Sequence, residues 1–570
     1  MKSWKEQLKD VKRALREADL QGEIRDEKPA KVDFEPPKSW LTDDRSTSKR
    51  DGESKGSSRP AAIPSTVADR QTGVHHRVAP TVRNPIQQPG TPSAVSSSSD
   101  KPSAPSNRTT TPPVFRPRII GGHALGMPEW SEAGRALQHP DHQGGRAAPM
   151  VVRIGVDFGT AFTKVAIRAG VDLVPVDWFA VTGDQSPTGR YVMPGFVVRA
   201  PDGEYCWRRL AESNVRRNLK LSVIETAGSD ECPAATLAYL ALVIRYARAF
   251  LYRHPEAGRK LVARSLRWEL NVGCPTEPHE KPEVVRLFGR IARTAWRLAA
   301  EGSLWESDIA AAWVADEAAI GLETEPGVVP EFVAQIAGYL GSPQVSEGLH
   351  ALIDVGAATL DVATFNVVLG NDLDSSPRIP IFFSAVRPLG THYLHHNRHS
   401  QLDLELEWDD ASPVEPADGF AERYGKRSGE VDAVDADFVN RVANCIAGVI
   451  DGTRTNTRGD PRSPAWREGL PIFVTGGGSG CDLYRRAIDA VQIEMKRRLG
   501  SSSRFRFIEI DPLGAKVPQF GVETGGRLTV AIGLTQDAEN IARVVPHRDI
   551  EPISQAAKER VDHSEIYGDR

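Results

Sequence analysis

Two stretches of this chain repeat one pattern, in which an apolar strand leads into an aspartate and a glycine-containing turn that ends in threonine. The first is VVRIGVDFGT at residues 151–160, and it continues through Lys164 into a second apolar run. The other is ALIDVGAAT at residues 351–359, followed by LDV. Each predicts a β-hairpin whose turn can approach a phosphate, because glycine lets backbone N–H groups come close. The repeat therefore predicts two half-domains that close on one nucleotide.

Composition narrows the class of protein. The 570 residues allow about two to four domains on length alone. A net charge of -4 and a pI of about 6.4 give no electrostatic reason to expect a nucleic-acid partner. The five cysteines are scattered, without a Cys-x-x-Cys pair, which argues against a disulfide framework and fits a reducing cytoplasm. Without a signal-peptide pattern or a long apolar run, we expect a cytoplasmic protein with no membrane partner.

The N-terminal part differs in character from the rest. Residues 1–25 contain Trp4, Leu8, Val11 and Leu15 at helical spacing, which predicts a short amphipathic helix. This segment is either a fraying terminal helix or a docking helix for a protein partner. The Pro/Ser/Thr-rich residues 26–148 predict a disordered linker, because they cannot bury enough apolar surface to offset their ordering entropy.

The remaining chain alternates strand and helix patterns in two successive blocks. We predict one lobe at residues 149–325, a second at 326–540 and a polar tail at 541–570 that is another candidate for partner binding. Predicted elements are helices at 234–252, 283–300, 315–322, 437–450 and 482–499, and strands at 268–275 and 471–474. This order predicts a two-lobed α/β fold with duplicated mixed sheets and flanking helices.

The two turns carry the groups that a phosphate site needs. Backbone N–H groups near Gly159 and Thr160 in the first turn, and near Gly356 and Thr359 in the second, are candidate phosphate ligands. Lys164 is a candidate for a charge contact with phosphate oxygens. A single match of this type is usually an ordinary hairpin turn, but two of them in strand contexts favour a binding site.

Asp157 and Asp354 begin the two turns and are predicted to face each other across a cleft. Two close carboxylates repel unless a cation lies between them. The pair therefore predicts a hydrated Mg²⁺ that bridges to the phosphates, with both aspartates as metal and catalytic residues.

A third glycine-rich element, PIFVTGGGSG at residues 471–480, follows a predicted buried strand. Gly476, Gly477, Gly478 and Ser479 would let a base or ribose lie against the backbone. The alternative is a flexible loop between a strand and a helix, but the order of the three elements favours nucleotide binding.

Together these residues resemble the actin, heat-shock chaperone and sugar-kinase ATPase superfamily over residues 151–534. DFGT at 157–160 is similar to its first phosphate motif, DVGAATLD at 354–361 to its second, and TGGGS at 475–479 to its adenosine motif. WVADEAAIGL at 313–322 and LTVAIGL at 528–534 are similar to its two connecting helices. The resemblance implies an actin-like fold that binds ATP and Mg²⁺, nearest to the ATPase domain of DnaK-type chaperones.

The chain also departs from the superfamily pattern. The catalytic acid of the superfamily's connecting helix falls at Ala315 in this chain. Asp316 or Glu317 orients the attacking water only if the register shifts by a residue or two; otherwise Glu317 faces solvent at the helix start. Lys220 lies near the position of a catalytic lysine in the chaperones, although a surface charge run explains it as well. The second turn carries Ala357 and Ala358 where glycines are usual.

The function implied by the resemblance is a chaperone-like, weakly hydrolysing ATPase that acts as a nucleotide-dependent switch for a protein partner. Too few residues follow Leu534 for a chaperone's peptide-binding half. Alternatives are an actin-like filament-forming ATPase and a nucleotide sensor that does not hydrolyse. A sugar kinase is least favoured, because no polar substrate pattern stands out.

Overall fold

A computed structural model describes residues 118–119 and 130–552, apart from short gaps at 145–146, 208–213, 226–228, 280, 371–375, 406–413, 501, 511–521 and 538–540. These described residues belong to one compact unit. The predicted N-terminal helix at 1–25, most of the predicted linker and the end of the predicted tail lie outside them.

The strands form two large sheets and a small one. In chain order they are β1 (Arg118–Ile119), β2 (Met150–Phe158), β3 (Phe162–Ala169), β4 (Asp172–Pro175), β5 (Met193–Pro194), β6 (Val197–Arg199), β7 (Tyr205–Cys206), β8 (Asn214–Arg216), β9 (Leu266–Cys274), β10 (Gly327–Pro330), β11 (Gly348–Val355), β12 (Leu360–Val367), β13 (Arg378–Arg387), β14 (Leu470–Thr475), β15 (Phe505–Phe507) and β16 (Arg543–Val545).

The two large sheets have the same construction. The first has the order β1-β4-β3-β2-β9-β10, with β5 also paired to β3, and the second has the order β16-β13-β12-β11-β14-β15. In each sheet an antiparallel hairpin, β2–β3 or β11–β12, pairs in parallel with a later strand, β9 or β14. The outer strands correspond too, since β1 runs parallel to β4 and β16 runs parallel to β13. This duplication confirms the predicted α/β class of duplicated mixed sheets.

Helices flank both sheets. They are α1 (Trp130–Ala133), α2 (Phe179–Thr182), α3 (Leu219–Glu225), α4 (Ala234–Arg253), α5 (Ala257–Leu261), α6 (Thr276–His279), α7 (Pro282–Leu298), α8 (Glu306–Ala315), α9 (Glu331–Leu340), α10 (Thr391–Gln401), α11 (Ala417–Tyr424), α12 (Ser428–Thr455), α13 (Ala465–Glu468), α14 (Asp482–Leu499) and α15 (Val522–Gly533). The helices predicted at 234–252 and 283–300 and both predicted strands are confirmed within a few residues, and α14 has the predicted bounds. The helix predicted at 437–450 is the middle of the longer α12.

The helix predicted at 315–322 is wrong. Helix α8 ends at Ala315, and Asp316 adopts a left-handed conformation with φ 42° that terminates it. Helix α9, which was not predicted from the sequence, begins at Glu331. The resemblance to a connecting helix at 313–322 therefore belongs to a helix end and the loop after it.

Helix α9 connects the two lobes. It follows β10, the last strand of the first sheet, but its apolar side packs on the second sheet. The ring of Phe332 lies 5.2 Å from the ring of Phe365 on β12, and both side chains belong to one buried cluster. Phe332 therefore anchors α9 to a sheet other than the one from which the chain has just come.

Helix α15 makes the reverse connection. It follows β15 of the second sheet and packs on the first sheet, where Ala531 and Leu528 share a buried cluster with Ala166 of β3. Helices α15 and α9 touch closely, because a Cβ added at Gly533 would lie 1.8 Å from the carbonyl oxygen of Ala334. The two lobes are thus joined through a crossing of two helices, each anchored on the opposite sheet.

Helix α4 (Ala234–Arg253) is long and apolar enough, by length and composition alone, to cross a membrane. That corrects the expectation that no such run occurs. In the structure 89% of its apolar window is buried, and Phe250, Leu240 and Tyr246 lie in the core of the first lobe. It is a core helix of the described fold.

The ordered fold extends beyond the predicted lobe boundaries. Within the predicted linker, Trp130 is only 6% exposed, and its ring lies 5.4 Å from that of Trp207. Strand β10 pairs with β9 of the first sheet, although it follows the predicted division at residue 325. Strand β16, within the predicted tail, pairs with β13. These short segments are held by tertiary contacts, which a compositional boundary does not detect.

Candidate functional site

A cavity of about 690 Å³ lies between the two hairpins. The glycine loop after β14 and parts of α9 and α15 complete its walls. Most of the site residues expected from the sequence line this cavity: Asp157, Gly159, Thr160, Lys164, Asp354, Gly356, Thr359, Gly476, Gly477 and Gly478. The structure therefore brings three separate sequence elements into one cleft.

The strand registers place a different partner opposite each aspartate. In the first hairpin Asp157 faces Lys164, whose Nζ lies 2.8 Å from Asp157 Oδ2. In the second hairpin Asp354 faces Asp361 at the equivalent position. The first lobe thus presents an ion pair to the cleft, and the second presents two carboxylates side by side.

The paired carboxylates of the second hairpin are strongly perturbed. Burial raises the pKa of Asp354, and the Asp157 carboxylate adds to the rise while Lys164 opposes it. Burial and the adjacent Asp354 raise the pKa of Asp361 well above its usual value. Within the described part of the chain, Asp361 Oδ1 has no hydrogen-bond partner although it is buried. Positive charge placed on this side of the cleft would therefore stabilise the ionised form of these carboxylates.

A buried ion pair forms the floor of the cleft. Lys220 Nζ lies 2.5 Å from Glu331 Oε1, and the two side chains are 7% and 12% exposed. Burial alone would lower the pKa of Lys220, but Glu331, with smaller contributions from Asp157 and Asp361, outweighs burial and the pKa rises. Burial raises the pKa of Glu331, with Lys220 opposing and Asp157 adding to the rise. Burial therefore acts in opposite directions on the pKa values of the two groups, whereas the excess of carboxylates in this cleft raises both.

The two turns offer backbone donors to the cavity. In the described residues, no backbone carbonyl accepts a hydrogen bond from the N–H of Thr160, Ala161, Ala357 or Ala358. All four residues line the cavity. Backbone donors near a cleft without a protein partner are suited to the oxygens of a phosphate chain.

The glycine loop lies directly against the second aspartate. Gly476 has a φ of 86°, and a Cβ there would lie 2.3 Å from Asp354 Oδ1. Thr475 Oγ1 donates a hydrogen bond to the same carboxylate oxygen at 3.2 Å. A Cβ at Gly477 would meet no protein atom within 4 Å. Gly476 is therefore required by the packing of the protein itself, whereas a Cβ at Gly477 would enter open space.

Ser479 has a different place from the one expected. It does not line the cavity, and its hydroxyl donates a hydrogen bond to the carbonyl oxygen of Gly476 at 2.8 Å. Ser479 thus fixes the shape of the glycine loop rather than facing a ligand.

Glu317 is not brought to the cleft. Its side chain is 67% exposed, lies outside the cavity lining, and forms an ion pair with Arg297 at 2.7 Å. The chain turns away at Asp316 after α8 ends, so no helix carries Glu317 inward. The acid that does lie in the cleft is Glu331, at the start of α9.

The structure adds Lys220, Glu331 and Asp361 to the predicted site. Lys220 had been weighed against a surface charge run, and it is buried. Glu331 begins a helix in which residues 332–339 are all buried, directly after Pro330, which is a recognisable helix-start signal. Asp361 follows Asp354 at the same spacing as Lys164 follows Asp157, so the repeat itself pointed to this position.

A divalent cation fits the charge of the cleft. The described residues contain no group of three or more His, Cys, Asp or Glu side chains that could hold a metal ion. An ion between Asp157 and Asp354 would therefore take its other ligands from water and phosphate, as Mg²⁺ commonly does. The buried carboxylates, which outnumber the lysines, supply the attraction.

Comparisons with known proteins give no family assignment. No protein-family model matches the chain, and no curated protein matches it. One similar solved structure is the ethanolamine utilization protein EutJ from Carboxydothermus hydrogenoformans, at 14% identity and a TM-score of 0.29. The match covers 70% of this chain and 93% of EutJ. A TM-score of that size does not establish a shared fold. The fold class is therefore assigned from the duplicated topology described above.

Proposed function

We propose that the cleft binds ATP with Mg²⁺ and hydrolyses it slowly. The observation that carries this proposal is the convergence of Asp157 and Asp354, from equivalent hairpins of two equivalent sheets, on one cavity. Unpaired backbone donors in both turns and an open glycine loop support a nucleotide over a smaller anion.

Each wall of the cleft has a part in holding the nucleotide. The N–H groups of the two turns and Lys164 bind phosphate oxygens, and the open face at Gly477 takes the ribose or base. Asp157 and Asp354 would hold the hydrated metal ion. Bound Mg²⁺ would supply positive charge that neutralises the phosphate oxygens during phosphoryl transfer.

Glu331 is the residue that we place at the attacking water. Its pKa is raised chiefly by burial, which makes its carboxylate a better proton acceptor than an exposed one. Lys220 holds that carboxylate in place and contributes positive charge near the transferred phosphoryl group. Glu317 has no part in this proposal.

The crossing of α9 and α15 supports a conformational switch. Glu331 is the first residue of α9, so a change at the phosphates acts directly on a helix that joins the lobes. We propose that closure around ATP and reopening after hydrolysis change the affinity for a protein partner, as in a DnaK-type chaperone. We also propose that the protein acts in the cytoplasm.

Calorimetric titration with ATP, with and without Mg²⁺, tests the binding site. We expect Asp157→Ala and Asp354→Ala to weaken Mg²⁺-dependent binding at least tenfold, corresponding to a loss of about 1.4 kcal/mol. Glu317→Ala is a matched control that removes an acid outside the cavity and should bind as the parent does. If both aspartate variants bind like the parent, the metal role is wrong.

Release of inorganic phosphate tests hydrolysis separately. Glu331→Gln should retain ATP binding and lose turnover, whereas Glu317→Gln should keep the parent rate. A parent protein that binds ATP tightly but releases no phosphate would instead be a non-hydrolysing sensor.

A further inference from the structure

Among the described residues that line the cleft, three carry a positive charge, and two of these have a carboxylate partner. Lys164 contacts Asp157, and Lys220 contacts Glu331. The third is Arg527, a partly exposed residue of α15. No hydrogen bond or ion pair joins the Arg527 guanidinium to another residue in the part of the chain that the structure describes. This cation therefore remains available to a ligand in the cleft.

Two contacts show how α15 runs across β2. Arg153 Nη1 donates a hydrogen bond to the carbonyl oxygen of Thr535, just after the end of α15, at 3.2 Å. The carbonyl oxygen of Ala531 lies directly against Gly155, where it would collide with an added Cβ. A step along β2 towards its turn is thus matched by a step along α15 towards its start. The helix and the strand run in opposite directions.

The same alignment brings Arg527 level with Asp157. A strand advances about 3.3 Å per residue and an α-helix about 1.5 Å, so two strand residues match about four helix residues. Asp157 lies two residues after Gly155, and Arg527 lies four residues before Ala531. Asp157 is also the aspartate that the proposed metal ion would contact. Arg527 is therefore at the level of the metal and phosphate part of the cleft.

Arg527 lies on the helix face that packs on the first sheet. Residues four apart share one face of an α-helix, and Ala531 is buried in a cluster with Ala166 of β3. One helical turn nearer its start, the same face reaches the end of the hairpin, because β2 ends at Phe158 and β3 begins at Phe162. Beyond that buried contact, Arg527 lines the cavity.

We propose that Arg527 binds the phosphate chain of ATP from the helix that joins the two lobes. This inference rests on the proposed function of the cleft. A guanidinium group matches phosphate oxygens with two parallel N–H donors, and such charge-assisted hydrogen bonds are stronger than neutral ones. Lys164 has to share its ammonium group between phosphate and Asp157, whereas Arg527 has no such competing partner among the described residues.

The charge of the cleft makes this cation important for binding. Carboxylates outnumber cationic groups among the described residues that line it. The phosphates of ATP are also negative, and bound Mg²⁺ cancels only part of their charge. A guanidinium beside the phosphates offsets part of the remaining repulsion, so its removal should weaken ATP binding.

A structural role for Arg527 makes a different prediction. If the side chain served packing, its replacement would lower the melting temperature, and ATP affinity would fall only as a consequence. Arg527→Gln removes the charge but keeps a polar side chain of good helix propensity. Arg527→Met is a second uncharged variant with a long side chain, and Arg527→Lys keeps the charge without the planar pair of donors.

Calorimetric titration of the full-length protein with Mg·ATP, at several salt concentrations, tests the inference. Arg527→Gln and Arg527→Met should each bind about tenfold more weakly at low salt and keep the parent melting temperature without nucleotide. Their Kd should also rise less with salt than that of the parent, because salt screens one charge contact fewer. Arg527→Lys should lose less affinity. Arg259→Gln is the matched control, since it removes an exposed arginine outside the cavity and should bind as the parent does.

Other outcomes overturn the inference. If the parent binds Mg·ATP and the uncharged Arg527 variants bind equally well, the contact is ruled out while the nucleotide site stands. Weaker binding with the parent's salt dependence and a lower melting temperature would assign Arg527 a structural role instead. Equal losses in Arg527→Gln and Arg259→Gln would reflect only the net charge of the protein. A parent that does not bind Mg·ATP ends both proposals.

Discussion

Lys220 and Glu331 form a buried ion pair at the floor of the cleft, although 111 residues separate them in the chain. Lys220 lies on α3, which follows β8 of the small sheet in the chain, and Glu331 begins α9, the helix that connects the two lobes. The pair therefore links the cleft to the connection between the lobes.

Breaking this pair from either side should destabilise the protein without nucleotide. Lys220→Met leaves a buried carboxylate uncompensated, and we expect a loss of about 3 kcal/mol in the free energy of unfolding. The double variant Lys220→Met with Glu331→Gln removes both charges and should recover most of that loss. Urea unfolding of the parent, the two single variants Lys220→Met and Glu331→Gln, and the double variant measures the coupling, and strictly additive effects would show that the two groups do not interact.

Alanine substitutions in the glycine loop should distinguish a glycine that the fold requires from one that contacts a ligand. Gly476→Ala places a Cβ against Asp354 at a positive φ, and we expect a loss of about 1–3 kcal/mol in unfolding free energy. Gly477→Ala meets no protein atom within 4 Å and should leave stability unchanged. Its Cβ faces the open side of the loop, so it should still weaken ATP binding in a titration. Parent-like ATP affinity in Gly477→Ala would mean that the nucleotide does not lie against this loop.

The helix crossing should be sensitive to one methyl group. Gly533→Ala would place its Cβ 1.8 Å from the carbonyl oxygen of Ala334, forcing α15 and α9 apart. We expect the free energy of unfolding to fall by about 2 kcal/mol. Gly526→Ala lies on the same helix with nothing within 4 Å, and alanine's better helix propensity should stabilise it by up to about 1 kcal/mol. Equal melting temperatures for the two variants would contradict the close approach.

Acid should destabilise the second lobe through His350. Its ring stacks with Phe365 and Phe473, its Nε2 lies 2.9 Å from the Tyr339 hydroxyl, and burial lowers its pKa to about 4. An unfolded histidine has a pKa near 6.5, so the folded state favours the neutral ring. This contribution is fully present above about pH 6.5 and is lost as the pH falls towards 4, amounting to about 3 kcal/mol.

The control for that effect is His350→Phe, which keeps an aromatic ring in the stack but does not titrate. Unfolding free energies of both proteins at pH 7 and pH 5 should show a smaller decrease for the variant. The same decrease in both proteins would assign the acid sensitivity to other groups.

Local sequence determined the elements that depend on local backbone geometry. The two hairpins, the glycine loop and helix α14 were predicted from glycine placement and hydrophobic periodicity, and the duplicated α/β class followed from their order. The residues expected in the two turns line the cavity because a strand and its turn fix where they point. An aspartate at the end of a core strand lies at the edge of the sheet whatever residues from elsewhere in the chain pack around it.

Tertiary structure alone decided which charges meet. Lys220 was ambiguous, Glu331 was missed, and Glu317 was chosen because it lay near a motif in sequence. The position of Arg527 level with Asp157 is likewise visible only once α15 is packed on β2. Burial and pairing of a side chain depend on contacts between residues far apart in the chain, and no pattern within one segment encodes them.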